Sequence, residues 1–301
     1  MIPIQPTPIV EWQLPGDVRL LVKRDDLTHP HVSGNKWRKL KYNLEAARQT
    51  GFAGLLTFGG AFSNHLSATA AAGQLLGWRT IGMVRGEEHL PLNPTLSFAR
   101  SCGMEFHYLD RSTYPQRCKG IGMDAWEKDY YILPEGGSNT LALKGCAELA
   151  EECQEQLGAW PDYVCVAAGT GGTAAGLITG LPDQTQLLAF PVLKGNFMRG
   201  EIQYFLAQAG HENKKNWQVI SDYHFGGYAH FDEQLIDFIN QTKGRYDIPL
   251  DPIYTGKLFF GVADLHEKGF FPSGSTVLVI HTGGLQGIAG FNQRFPNLIR
   301  E

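Results

Sequence analysis

One unit recurs along this chain and limits what it can fold into: a short apolar run, a glycine-containing loop, then an alanine-rich stretch of helical character. Residues 54–58 read as a strand, 59–64 as a loop and 65–76 as a helix. Residues 80–85 and 105–109 read as further strands, with a helix near 94–102 between them. Residues 130–134 give another strand, followed by the loop Glu135-Gly136-Gly137-Ser138-Asn139 and a long helix over about 141–156. Residues 163–168 lead through a glycine loop into a helix over 174–180, and 187–191 and 276–280 read as late strands. Short apolar strands separated by helices are buried on both faces, which implies an α/β architecture with open, twisted, mostly parallel sheets. In such sheets ligands collect beyond the carboxyl ends of the strands, and here those ends carry the glycine loops.

A length of 301 residues suits two modest domains or one large one. A net charge of −4 gives no electrostatic case for nucleic acid or an anionic membrane surface as partner. The five cysteines (102, 118, 146, 153 and 165) form no C-x-x-C pair, so free thiols in a reducing compartment are expected. The first residues lack the basic start and apolar core of a signal peptide. The longest uncharged stretch, 163–182, is broken by glycine and threonine in its middle, unlike a membrane span. A cytoplasmic protein is the expectation. The ten histidines include His29-x-His31, but no neighbouring cysteine or carboxylate completes a ligand set, so no metal is expected.

Among the loops, Gly169-Thr170-Gly171-Gly172-Thr173 stands between a strand and a helix. Three glycines in four positions let backbone N–H groups converge, the helix start adds partial positive charge, and the threonines add hydroxyls: a phosphate cradle. It lacks the Gly-Lys-Ser/Thr ending of a Walker loop. Lys36 closes Ser33-Gly34-Asn35-Lys36 at a helix start. Shielded from water, its amine would be a nucleophile suited to Schiff-base chemistry; otherwise it is one of four cations (with Arg38, Lys39 and Lys41) on a solvated basic face. Ser63 and Asn64, in Gly59-Gly60-Ala61-Phe62-Ser63-Asn64-His65, are either helix caps or ligand-facing groups. Tyr228 and Tyr254 are either half-buried core tyrosines or site residues, and His281-Thr282-Gly283-Gly284 is either a turn or part of the same site.

Taken in order, S-G-N-K-x-R-K-L, G-G-x-x-S-N-H, E-G-G-S-N, G-T-G-G-T, D-P-x-Y-T-G-K and H-T-G-G span nearly the whole chain. This series resembles the 1-aminocyclopropane-1-carboxylate (ACC) deaminase/D-cysteine desulfhydrase family of pyridoxal-phosphate (PLP) enzymes. The spacing of the two tyrosines (254 − 228 = 26) is also similar to that family's. The resemblance implies the tryptophan-synthase-β-like fold (fold type II), with a small domain over 46–134 and a large PLP-binding domain built from 1–45 and 135–301. It implies that Lys36 binds the cofactor covalently, that Asn64 meets its phenolic oxygen and that Gly169, Thr170, Gly171, Gly172 and Thr173 hold its phosphate. Ser63 would meet the substrate carboxylate or the lysine, His65 would lie at the substrate, and Tyr228 and Tyr254 would face it. Where ACC deaminases tend to have Gln, Glu and Leu, this chain has His65, Thr255 and Thr282, as on the D-cysteine desulfhydrase side. A glutamate at the pyridine nitrogen strengthens the electron sink needed for ring opening; a threonine there gives weaker support, sufficient for losing a thiolate. Phe62 and Ser67 depart from the family's Gln and Arg. The implied activity is α,β-elimination of D-cysteine by a homodimer, with ACC deamination as the alternative within catalysis. A non-catalytic PLP- or amino-acid-binding protein is the alternative outside it.

Overall fold

The computed structural model describes residues 2–52 and 54–300. Ten strands and ten α-helices form among them, with two short 3-10 turns at Asp25–Leu27 and Glu135–Gly137: the strands are β1 Ile9–Glu11, β2 Arg19–Lys23, β3 Gly54–Gly60, β4 Arg79–Arg85, β5 Met104–Leu109, β6 Tyr131–Ile132, β7 Tyr163–Ala168, β8 Gln186–Pro191, β9 Trp217–Val219 and β10 Thr276–Ile280. The helices are α1 Asn35–Gln49, α2 Asn64–Leu76, α3 Pro94–Ser101, α4 Tyr114–Cys118, α5 Thr140–Leu157, α6 Gly172–Gly180, α7 Met198–Gln208, α8 Glu233–Tyr246, α9 Thr255–Glu267 and α10 Gly287–Arg294.

The strands make two sheets. One has six strands in the order β1-β2-β10-β7-β8-β9, and the other four in the order β5-β4-β3-β6. Every pairing is parallel except β1 with β2. The central strands have no wet face, as their unbroken apolar runs require: β10 buries Val277 to Ile280 completely. On one side of the larger sheet Trp12, Phe190 and Phe259 pack together, and on the other Leu143, Leu177 and Met198. The smaller sheet has its own core, in which Leu40 and Leu44 of α1 pack with Leu55 and Leu66. Helix α1 also lies along α5, which covers the larger sheet. It therefore occupies the junction of the two sheets.

A buried ionic network fixes α1 there. Arg38 grips Asp25 through Nε (3.2 Å) and Nη2 (2.7 Å), and its Nη1 lies 2.7 Å from Glu152 on α5. Lys23, at the end of β2 and fully buried, donates to the same Glu152 at 2.6 Å. Breaking one member of such a set strands a charge in the interior, so the network holds its members in register.

Candidate active site

The site is built outward from the turn before α1. Gly34 has φ +56°, and a Cβ there would overlap the Thr282 carbonyl oxygen, so only glycine fits. The Asn35 N–H donates to that same carbonyl at 3.3 Å, and the Lys36 N–H donates to Ser33 at 3.2 Å. The turn that aims Lys36 is thus clamped against the H-T-G-G segment that follows β10.

Lys36 keeps only partial exposure, and burial lowers its ammonium pKa to about 7, with the nearby Lys39 charge pushing the same way. A substantial neutral fraction exists near pH 7, which makes it a competent nucleophile and base. The solvated-face alternative fails for its neighbours: Arg38 and Lys39 are buried.

One turn further on, Lys39 shares the Lys36 face of the helix. Its Nζ donates to Ser138 Oγ (2.8 Å), the Gly136 carbonyl (3.0 Å) and Thr170 Oγ1 (3.5 Å), and burial lowers its pKa to about 8. Ser138 and Thr170 hydroxyls lie 2.8 Å apart, and Asn35 Nδ2 donates to Thr173 Oγ1 at 2.9 Å. The E-G-G-S-N and G-T-G-G-T loops pack so tightly that a Cβ at Gly172 would overlap Ser138 Oγ. Gly171 precedes α6 and no side chain caps that helix. Its first N–H groups are left for an anion.

His65 is 1% exposed, and neither ring nitrogen has a partner among the described residues. Burial, with the charges of Lys36 and Lys39, holds it far below its ordinary pKa, so the imidazole is neutral. A Cβ at Gly137 would come 2.7 Å from its Cε1. Ser63 does cap α2, accepting from the His65 and Leu66 N–H groups at 3.2 and 3.3 Å; its own hydroxyl proton stays free to donate outward. Asn64 accepts from Gln286 Nε2, which ties it to the segment after H-T-G-G.

Tyr254 immediately precedes α9, and a Cβ at Gly169 would lie 3.1 Å from its ring. Tyr228 meets it edge to face, ring centroids 6.1 Å apart. Burial raises the Tyr254 phenol far above 10; Tyr228, 39% exposed, is raised as well by the partial loss of water around its hydroxyl, so both remain protonated donors at neutral pH. Thr255, the expected hydroxyl support at the pyridine nitrogen, has hydrogen-bond partners within the chain. It is fully buried, and its Oγ1 donates to Asp251 Oδ1 at 2.7 Å while accepting from the Asp251 N–H at 2.9 Å. Its one proton is committed, because Asp251 gathers the N–H groups of Ile253, Tyr254 and Thr255 into a single cap.

A lysine of depressed pKa faces a cradle of one buried cation, clustered hydroxyls and an uncapped helix start, with an unpaired imidazole beside it. That donor set fits pyridoxal phosphate: the phosphate at the cradle, the aldehyde at Lys36. The family described as "Pyridoxal-phosphate dependent enzyme" matches residues 2–283. The chain belongs to that family. It is 31% identical to the bifunctional D-cysteine desulfhydrase/ACC deaminase of Arabidopsis thaliana, over 94% of this chain and 77% of that one. It is 28% identical to the D-cysteine desulfhydrase of Klebsiella pneumoniae, covering 91% of this chain and 89% of that one. A solved ACC deaminase homologue superposes with a TM-score of 0.81 at 30% identity, covering 93% of this chain and 89% of that one. The protein is a PLP-dependent enzyme of fold type II.

Sequence reasoning gave no role to Lys39, Ser138, Asp251 or Gln286, although the first three lie inside the quoted motifs. Lys39 carried a signal, its three-residue spacing from Lys36 on one helix face. Gln286 carried none.

Proposed function

We propose that this enzyme carries out α,β-elimination on a small D-amino acid, with D-cysteine giving pyruvate, sulfide and ammonia. The observation that carries the reading is the division of labour in the site: an amine poised near neutrality at Lys36, and two protonated phenols at Tyr254 and Tyr228. Bound PLP supplies the electron sink that tolerates negative charge at the substrate α-carbon. Lys36 Nζ takes the α-proton. Tyr254 Oη gives its proton to the departing sulfur, and Tyr228 Oη supports it. Ser63 Oγ and the neutral His65 ring orient the substrate carboxylate. Residues 169–173 and Lys39 would hold the cofactor's phosphate, and Asn64 would meet its phenolic oxygen.

ACC deamination is the second reading, favoured by the bifunctional Arabidopsis relative. Against it stands Thr255, whose proton is tied to Asp251 and which puts no carboxylate of its own at that position. We further propose that the site lies between two domains, 46–134 and the remainder; β3 to β6 all fall inside the first range and the other strands outside it. Among the described residues no helix is long and apolar enough to cross a membrane, and all five cysteines are free thiols. The thiols support a cytoplasmic enzyme; the homodimer rests on the resemblance.

The test is pyruvate and sulfide release across a panel of D- and L-amino acids and ACC, with added PLP. D-cysteine should be the best substrate, and Lys36→Ala should lose both turnover and the cofactor's near-visible absorbance band. Ammonia from ACC without sulfide from D-cysteine would reverse the assignment. A PLP-bound protein inert to the whole panel would remove it.

A further inference from the structure

Lys257 is a buried cation that the mechanism above does not use. It lies on α9 three residues beyond Tyr254 (257 − 254 = 3) and is 1% exposed. Among the described residues it has no carboxylate within ion-pair distance; its Nζ instead donates to two loop carbonyls, His224 at 2.9 Å and Gly227 at 2.7 Å. Burial lowers its pKa to about 8, with the charge of Asp251 opposing the fall. A methionine would fill similar space without burying a charge, so what this lysine supplies is its N–H donors.

Those donors hold a segment that local preference does not favour. Phe225, Gly226, Gly227 and Ala229 all have positive φ (54°, 90°, 123° and 59°). Left-handed backbone at Phe225 and Ala229 is strained and persists only where surroundings impose it. Tyr228 sits inside this run. Internal bonds help: the Gly227 N–H donates to the His224 carbonyl at 3.0 Å, and the His230 N–H to the Gly227 carbonyl at 3.2 Å. From outside, the Phe225 ring packs on Phe260 of α9, centroids 5.0 Å apart, and Lys257 draws in the two carbonyls. Both external restraints come from the helix that Tyr254 precedes.

We infer that Lys257 is a positioning residue: its ammonium binds the 224–227 turn to α9 and so sets the Tyr228 phenol against that of Tyr254. The inference rests on the reading that these two phenols face the substrate. It makes the geometry of the pair a property of one side chain rather than of two independent loops.

The test uses Lys257→Met in the holoenzyme, with two readouts. Hydrogen exchange of the amides over 224–230 should accelerate at least about tenfold, because two bonds to a charged donor are lost, while exchange in β7 and β10 stays unchanged. In a double-mutant cycle with Tyr228→Phe, both single changes should lower kcat/KM, and the double variant should be no worse than the poorer single one. Unchanged loop exchange, or losses that multiply, would overturn the positioning role. A Tyr228→Phe enzyme with full activity would instead overturn the reading of Tyr228 at the substrate, and with it the catalytic consequence of the inference. Lys257→Gln, neutral and shorter, carries both measurements if the methionine variant does not accumulate.

Discussion

Replacing Lys36 by methionine isolates the free energy stored in its altered titration. The ammonium pKa falls from 10.5 to about 7 on folding. A base depressed by folding destabilises the native state wherever the unfolded chain is protonated and the native site resists it. The penalty is absent above pH 10.5, grows by about 1.4 kcal/mol per unit as pH falls, and is complete below about pH 7. It amounts to about 4 kcal/mol at pH 7 and about 2 kcal/mol at pH 9. Both figures are ceilings, because a partly exposed ammonium keeps some of its hydration. Methionine preserves length and packing while removing the charge. With cofactor removed from both proteins, the variant should therefore be the more stable one at pH 7, and the gap should close toward pH 10.5. Urea unfolding of both at a series of pH values between 6 and 10 measures it. A gap that is constant with pH, or that favours the wild type at pH 7, would refute the claim that burial poises this amine. Restoring PLP should then stabilise the wild type by mass action, and Lys36→Met much less.

Gly34→Ala forces a Cβ onto the Thr282 carbonyl oxygen at a positive φ; the cost should be about 3 kcal/mol or more, seen as a lower melting temperature and loss of the cofactor absorbance band. Thr170→Val removes one hydroxyl from the cradle and should raise the PLP dissociation constant about tenfold or more, measured by cofactor titration; losing its contacts with Ser138 and Lys39 should also lower the melting temperature of the cofactor-free protein.

The buried parallel strands were readable because burial on both faces leaves an uninterrupted apolar run. The strands at 163–168 and 276–280 are the same residues in sequence and structure. β2 escaped notice because it ends in Lys23, whose charge is matched by Glu152 on α5, far along the chain. β9, three residues long, is too short to carry a period. In the site, the glycine loops were legible since their residue types are demanded locally, whereas the neighbourhood of Lys36 left two readings open and only the family resemblance singled it out. Lys39 looked like a surface cation because its acceptors, Gly136, Ser138 and Thr170, come from loops that only the fold brings to it. Thr255 could be placed at the site by its motif, but the direction of its hydroxyl depends on how Asp251 closes the turn before α9. Side-chain direction at a helix start is set by such capping, which spacing alone does not report.

The order of strands in the larger sheet also bears on how the enzyme is made. β2 reaches β7 and the rest of that sheet only through β10. A ribosome-bound chain that has not yet produced residues 276–282 offers β2 no sheet beyond β1, and gives the Gly34 turn nothing to press against. Lys36 is aimed by a segment that follows it by 240 residues or more (276 − 36 = 240). If Lys36 carries the cofactor, loading with PLP should report that β10 has docked, and translation products that stop before β10 should be unable to sequester it.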